Sequence, residues 1–340
     1  MRRFLKGLTA SSALVVALAA CNAAGGSAAQ PTVTTTVTVG QRSGETPAET
    51  AKPDPGKPHP TPKPTSKPTA LGKRPVVAPD GRTCPDHPTP DCTGAPPGMR
   101  LTKAPLNDDG AAHRVDIAGR RLDRVHIAGD LVITADNVVI TNSVIDGRIL
   151  NEKDGDLKSF TITDSTVGPE TGCDSLPAIG EGEFTAVRVN IRNHGDGIRD
   201  AGDNIVVMDT YINLCSNPGD HSDGIQGYTA GRNLVFDHNT IDQRDVPDHN
   251  APFFFPVRQN PRVANLVMTN NLLMGGTFSI QIWDIQGYAI VRNNMLLDNS
   301  WDYKPVEAEC DQIDWRDNKL VTIDERYRVT AETGPLECMG

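Results

Sequence analysis

The chain has 340 residues, 37% of them hydrophobic, with 33 Lys and Arg against 43 Asp and Glu. Residues 1–80 hold ten basic and four acidic residues, so the remainder carries 23 basic and 39 acidic side chains, a net of −16. That balance argues against nucleic acid as a partner, and no apolar run is long enough to span a bilayer.

The chain begins with the basic stretch "MRRFLKG", followed by the 13-residue apolar run "LTASSALVVALAA", and residues 1–21 read as an export signal. The run ends in Leu18-Ala19-Ala20-Cys21, which is similar to a bacterial lipobox. That likeness implies that Cys21 is acylated and anchors the mature protein to the outer side of a membrane, at the bacterial cell surface. The alternative is an ordinary secretory signal cut near Ala20. The Arg2-Arg3 pair lacks the residue that a twin-arginine signal carries before Phe4, so both export routes stay open.

Residues 22–80 are a tether. Eleven of the 26 prolines fall between Pro31 and Pro79, in runs such as "KPDPGKPHPTPKPTSKPT". Proline fixes φ and removes a donor, so this stretch cannot build a core and is expected as extended spacer. At about 3.1 Å per residue it would reach on the order of 150 Å. The folded domain is then residues 81–340.

Setting Cys21 aside leaves six cysteines, and an even number outside the cell favours disulfides. Neighbours along the chain are expected to pair, as Cys84–Cys92, Cys173–Cys215 and Cys310–Cys338. No Cys-x-x-Cys spacing supports zinc.

From residue 138 one pattern recurs, starting at positions 138, 160, 184, 205, 234, 266, 289 and 313, as in "VVITNSVI", "IVVMDTYI" and "LVMTNNLL". A near-constant period of two to three dozen residues signals a solenoid, and β-branched, alternating residues make its units strands. Each copy carries a polar pair. Its first member is Asn142, Asp164, Arg188, Asp209, His238, Asn270, Asn293 or Asp317. Six of the eight are Asn or Asp, which tolerate a left-handed backbone. Its second member is Asn239, Asn271, Asn294 and Asn318 in the last four copies, a column able to hydrogen-bond along its length. Over roughly residues 115–325 the chain resembles the pectin-lyase-like superfamily. The resemblance implies an all-β fold, a single-stranded right-handed parallel β-helix of about 8–10 coils. Residues 84–130 and the tail "DERYRVTAETGPLECMG" are expected to cover its ends.

The longest spacings follow residues 205 and 234, so the walls of any groove cluster in mid-domain. Two near-copies, "HGDGIRD" at 194–200 and "HSDGIQGY" at 221–228, occupy successive coils there. Asp196 and Asp223 should then stack about 5 Å apart. Three outcomes are open. The pair acts as acid and nucleophile, as in a retaining glycosidase; it holds Ca²⁺; or each carboxylate bonds backbone amides and is structural. If Ile198 and Ile225 point inward, Arg199 and Gln226 point out and Asp200 points in. Arg199, Gln226, Gln281, Trp283, Asp284, Tyr303 and Lys304 occupy roughly matching strands, giving a polar and aromatic groove. His194, His221 and His249 are candidates to orient or exchange protons with a substrate. The run "FFF" at 253–255 is either a stacking surface for sugar rings or a buried loop.

Two runs are similar to pectate lyases. "NLVFDHNTI" supplies Asp237 and His238, and "VRQNPRVANLVMTNN" supplies Arg258, which the resemblance implies as a base, with Arg262 beside it. One residue is inserted before Pro261, and Ala264 replaces the final Arg of that pattern. The function expected is a polysaccharide lyase acting on an acidic glycan, with Ca²⁺ on Asp196 and Asp223 and with Arg258, Arg199 or Lys304 removing a proton. The alternatives are a glycoside hydrolase using Asp196 and Asp223, and a non-catalytic glycan-binding surface protein. The partners expected are a polysaccharide and, through Cys21, a membrane, with the chain acting as a monomer.

Overall fold

The computed structural model of the protein describes residues 74–227, 231–255 and 263–340. Cys21, the export signal, nearly all of the tether, Arg258 and Arg262 lie outside the described residues. Among those described there is no helix, and so none long and apolar enough to cross a membrane.

Parallel sheets of eleven, nine and five strands dominate. The chain visits them in rotation. Ile205–Met208 lies in the nine-stranded sheet, Tyr211–Asn213 in the eleven-stranded sheet and Ser222–Gly227 in the five-stranded sheet, and Arg232–Asp237 then returns to the first. Each strand therefore pairs with the one a full circuit later. Phe160 lies beside Phe184, Thr161 beside Thr185 and Ile162 beside Ala186. The eight sequence repeats are the last eight strands of the nine-stranded sheet. A three-stranded parallel sheet ending at Ile149–Leu150 connects through bridges at Ile179 to the five-stranded one.

Alternation explains the burial. Val138 and Ile140 are fully buried while Val139 and Thr141 are half-buried, as period-two side chains on a pleated strand require. Inward residues stack circuit on circuit into one core that includes Ile140, Ile162, Ala186, Val207, Phe236 and Met268. Full burial of each large side chain contributes about 1.5–3 kcal/mol.

The polar pair makes the bend between the nine- and eleven-stranded sheets. Its first member has positive φ in all eight copies, from 48° at Asp164 to 59° at Asn270. Arg188 (51°) and His238 (58°) adopt this conformation too, although Arg does not favour it as Asn, Asp and His do. The second member is buried and bonds along a column. Asn239 Oδ1 accepts the backbone N–H of Thr210 at 3.1 Å, Asn271 Oδ1 that of Asn239 at 2.9 Å, and Asn294 Oδ1 that of Asn271 at 3.0 Å. Asn318 Oδ1 takes that of Asn294 at 2.9 Å. Ser143, Ser165 and Thr210 extend the column toward the N-terminus with hydroxyl acceptors.

The segments expected to cover the ends divide. The tail does so: Val329–Pro335 pairs antiparallel with Lys319–Ile323, Trp315 Nε1–H donates to Leu336 O, and Cys310 and Cys338 are bonded. Residues 102–133 instead join the sheets as their first strands. Residues 74–98 form a strap along the flank. Arg74 pairs with Asp209 and Asp237 at 3.2 and 2.7 Å, and Gly94 N–H donates to Arg188 O. A Cβ at Gly94 would lie 2.7 Å from Thr166 Oγ1, so only glycine fits that approach. Cys84–Cys92 and Cys173–Cys215 are also bonded, with Cα separations of 5.7 and 5.8 Å.

Candidate functional site

The five-stranded sheet consists of Ile198–Asp200, Ser222–Gly227, His249–Phe255, Phe278–Ile282 and Lys304–Ala308. Ile198, Ile225, Phe253, Ile280 and Val306 form one inward row and are fully buried. The next residue on each strand lies on the outer side, giving the row Arg199, Gln226, Phe254, Gln281 and Glu307, of which Gln281 is buried and the other four are half-buried. Asp200 returns inward and is fully buried. Of the three phenylalanines, Phe253 and Phe255 sit in the core and only Phe254 belongs to the outer face.

Asp196 and Asp223 are vertical neighbours, and each holds the circuit that follows it. Asp196 Oδ1 accepts Asp223 N–H at 3.0 Å. Asp223 Oδ1 accepts Ala251 N–H at 3.0 Å, and its Oδ2 accepts Gln226 Nε2–H at 2.9 Å. The glycines that follow allow the circuits to close up: a Cβ at Gly197 would lie 2.5 Å from Gly224 O, and one at Gly224 2.4 Å from Pro252 O. The repeated Asp-Gly-Ile therefore packs successive circuits together in the same way twice.

Burial raises the Asp196 carboxyl to about 6, partly opposed by the hydrogen bond from Asp223 and the charge of Arg199, whose Nη2 stands 3.9 Å away. Burial, then the neighbouring Asp196, pushes Asp223 well above the carboxylate range. Asp223 is fully buried, so it cannot serve as a nucleophile to a bound chain. The pair also does not fit Ca²⁺. Asp223 is fully buried and spends both oxygens on N–H donors, and Asp196 stands beside the cationic Arg199, so the pair offers no set of several exposed oxygens of the kind Ca²⁺ takes. No group of three or more His, Cys, Asp or Glu suited to a metal occurs among the described residues.

The histidines separate. His194 is fully buried, Nδ1–H donating to Leu176 O at 2.9 Å, and burial lowers its pKa. It is a loop hydrogen-bonder out of reach of a ligand, not a contact residue. His249 lies beside Asp302, Nε2 to Oδ2 at 3.0 Å. His221 is exposed just ahead of Ser222–Gly227.

Toward the C-terminal end of the sheet the outer row gathers polar and aromatic groups. Gln281 Nε2–H donates to Glu307 Oε2 at 2.8 Å, and Lys304 Nζ stands 3.7 Å from Glu307 Oε1. Tyr303 is 68% exposed, and Phe278 meets its ring edge-to-face at 5.4 Å between centroids. Lys304 Nζ is 5.9 Å from the Tyr303 ring centre, and Trp283 is half-buried two residues beyond Gln281. The structure thus brings Arg199, Gln226, Gln281, Tyr303 and Lys304 onto one sheet and adds Glu307, Phe254 and Phe278. The sequence singled out neither Glu307 nor Phe278 as a face residue and gave Phe254 only within the 253–255 run, although strand alternation alone assigns Glu307 outward.

Asp237 and His238 do not belong to this face. They occupy a bend between the nine- and eleven-stranded sheets, where Arg74, Thr269 and Asn270 bond Asp237. Comparison of the chain with protein-family models, with curated proteins and with solved structures finds no match.

Proposed function

We propose that the chain is a carbohydrate-binding protein of the bacterial surface, lipid-anchored at Cys21 and built as a right-handed parallel β-helix. Its ligand is a polysaccharide lying along the outer row of the five-stranded sheet. One observation carries this reading: Arg199, Gln226, Phe254, Gln281 and Glu307 form a ladder of outward side chains, one per strand, with Tyr303 beside its end. Strands recur every ~4.8 Å, so the ladder offers amide, carboxylate, guanidinium and ring contacts to a long hydroxylated chain.

Binding fits this geometry better than β-elimination. Two of the expected bases are already engaged as ion pairs, Arg199 Nη2 at 3.9 Å from Asp196 and Lys304 Nζ at 3.7 Å from Glu307. A second reading, glycoside hydrolysis, is favoured by Asp196 alone. Its carboxyl, raised to about 6, holds its proton in mild acid as a general acid does.

The test is an array of neutral and acidic polysaccharides, with each hit then assayed for new reducing ends and for the ultraviolet absorbance of unsaturated product. Retention without turnover is expected. Reducing ends without that absorbance would replace binding by hydrolysis, absorbing product would restore the lyase, and failure to retain any glycan would remove the proposal.

A further inference from the structure

The five strands of the candidate face carry two cationic side chains, Arg199 and Lys304, and one imidazole, His249. Each is turned to a carboxylate of the protein. Arg199 Nη2 stands 3.9 Å from Asp196 Oδ2, Lys304 Nζ 3.7 Å from Glu307 Oε1, and His249 Nε2 3.0 Å from Asp302 Oδ2. The neutral donors of the outer row are directed the same way. Gln226 Nε2–H donates to Asp223 Oδ2 at 2.9 Å, and Gln281 Nε2–H to Glu307 Oε2 at 2.8 Å. Three more carboxylates, Asp220, Asp248 and Asp284, lie within two residues of strand ends. None of the three forms an ion pair with Arg or Lys among the described residues. The Asp302 side chain is 71% exposed.

The face therefore presents acceptors and negative charge, while its donors already point at protein carboxylates. A sugar carboxylate needs the reverse, N–H donors or a cation turned toward it. The hydroxyls of an uncharged sugar can donate to carboxylate and amide oxygens, which accept. The exposed Tyr303 ring and the half-buried Phe278 and Phe254 add apolar surface for the C–H faces of such sugars. We propose that the ligand of this sheet is a neutral glycan, and that Glu307, Asp302 and Asp284 act as specificity residues that turn polyuronates away. The inference rests on the binding reading above, and it reverses the acidic glycan that the resemblance to pectate lyases implies.

The test takes the full chain and each glycan retained on the array in two matched forms, the neutral chain and the same chain with its primary hydroxymethyl groups oxidised to carboxylates. Titration calorimetry at about 10 mM salt, where charges act over about 30 Å, should show the carboxylated form binding about tenfold more weakly. At about 1 M salt the two forms should converge. The double variant Asp284→Asn, Asp302→Asn should narrow the low-salt ratio to about threefold, because two like charges are gone. Should that variant not fold, the salt series on the unaltered chain gives the answer alone. A carboxylated form that binds as tightly as the neutral one at low salt, or a preference that does not respond to salt, overturns this inference and leaves glycan binding itself standing. Retention of no glycan in either form removes the binding reading, and this inference with it.

Discussion

The Asp196 carboxylate accepts the backbone N–H of Asp223 at 3.0 Å, joining two circuits of the chain 27 residues apart. Asp196→Ala would leave that buried amide without an acceptor, at a cost of about 1–3 kcal/mol. Asp196→Asn keeps an oxygen there and should retain the fold. Urea unfolding of both variants at one pH checks the order.

The same residue gives a signed pH dependence. Its folded carboxyl is raised to about 6 against an ordinary 3.8, so between those values the folded state binds more protons than the unfolded one. Its stabilising contribution is full below about pH 4 and is lost as pH rises through about 6. Two units amount to about 3 kcal/mol. Asp196→Asn should remove that share of the slope, while Asp223, raised for the same physical reason, keeps part of it. Equal slopes in the two proteins would show that Asp196 does not titrate there.

Asn271 should be among the most sensitive positions in the column. Its Oδ1 accepts two bonds from Asn239, and its Nδ2 donates to Phe236 O and Asn294 Oδ1. Asn271→Leu matches the volume but strands several buried polar groups, and a loss of about 3 kcal/mol or more is expected in thermal or urea unfolding.

Tyr303→Ala should leave unfolding unchanged, because the ring is 68% exposed, while weakening retention of a glycan identified on the array about tenfold, or about 1.4 kcal/mol. Gln281→Ala should also weaken it, through the contact to Glu307. Titration calorimetry on the folded variants measures both. Unchanged affinity in the two together would move the binding face elsewhere.

Removing Cys173–Cys215 should cost more than removing Cys84–Cys92. The first bond spans 42 residues and the second 8, and constraint of the unfolded chain grows with loop length, to about 4 against about 2.5 kcal/mol in the entropic model. Paired Cys→Ser variants compared by denaturant midpoint provide the check.

The repeating scaffold was legible in the sequence because it is periodic. Alternating Val, Ile and Phe marked the strands, and Asn or Asp at the bend marked the left-handed residue, a position that even Arg188 and His238 adopt. The Asn column was legible for the same reason. The strap was not: Arg74 meets Asp209 across 135 residues, and no period announces such a contact. Nor was the role of Asp196 and Asp223, since two carboxylates one circuit apart read equally well as a reactive pair or as anchors. What the sequence does not show is that one oxygen of each accepts a backbone amide of the next circuit. The face residue Glu307 was legible by alternation once Val306 is placed inward.

The Asn column has a direction. Every amide in it, from Thr210 through Asn294, is satisfied by a side chain that comes later in the chain. During N-to-C emergence each newly made rung therefore waits, incomplete, for its successor. The final Asn318 closes the series, so its loss leaves the Asn294 amide without its acceptor while each earlier amide keeps its own. The protein is in this sense finished from its last-made end.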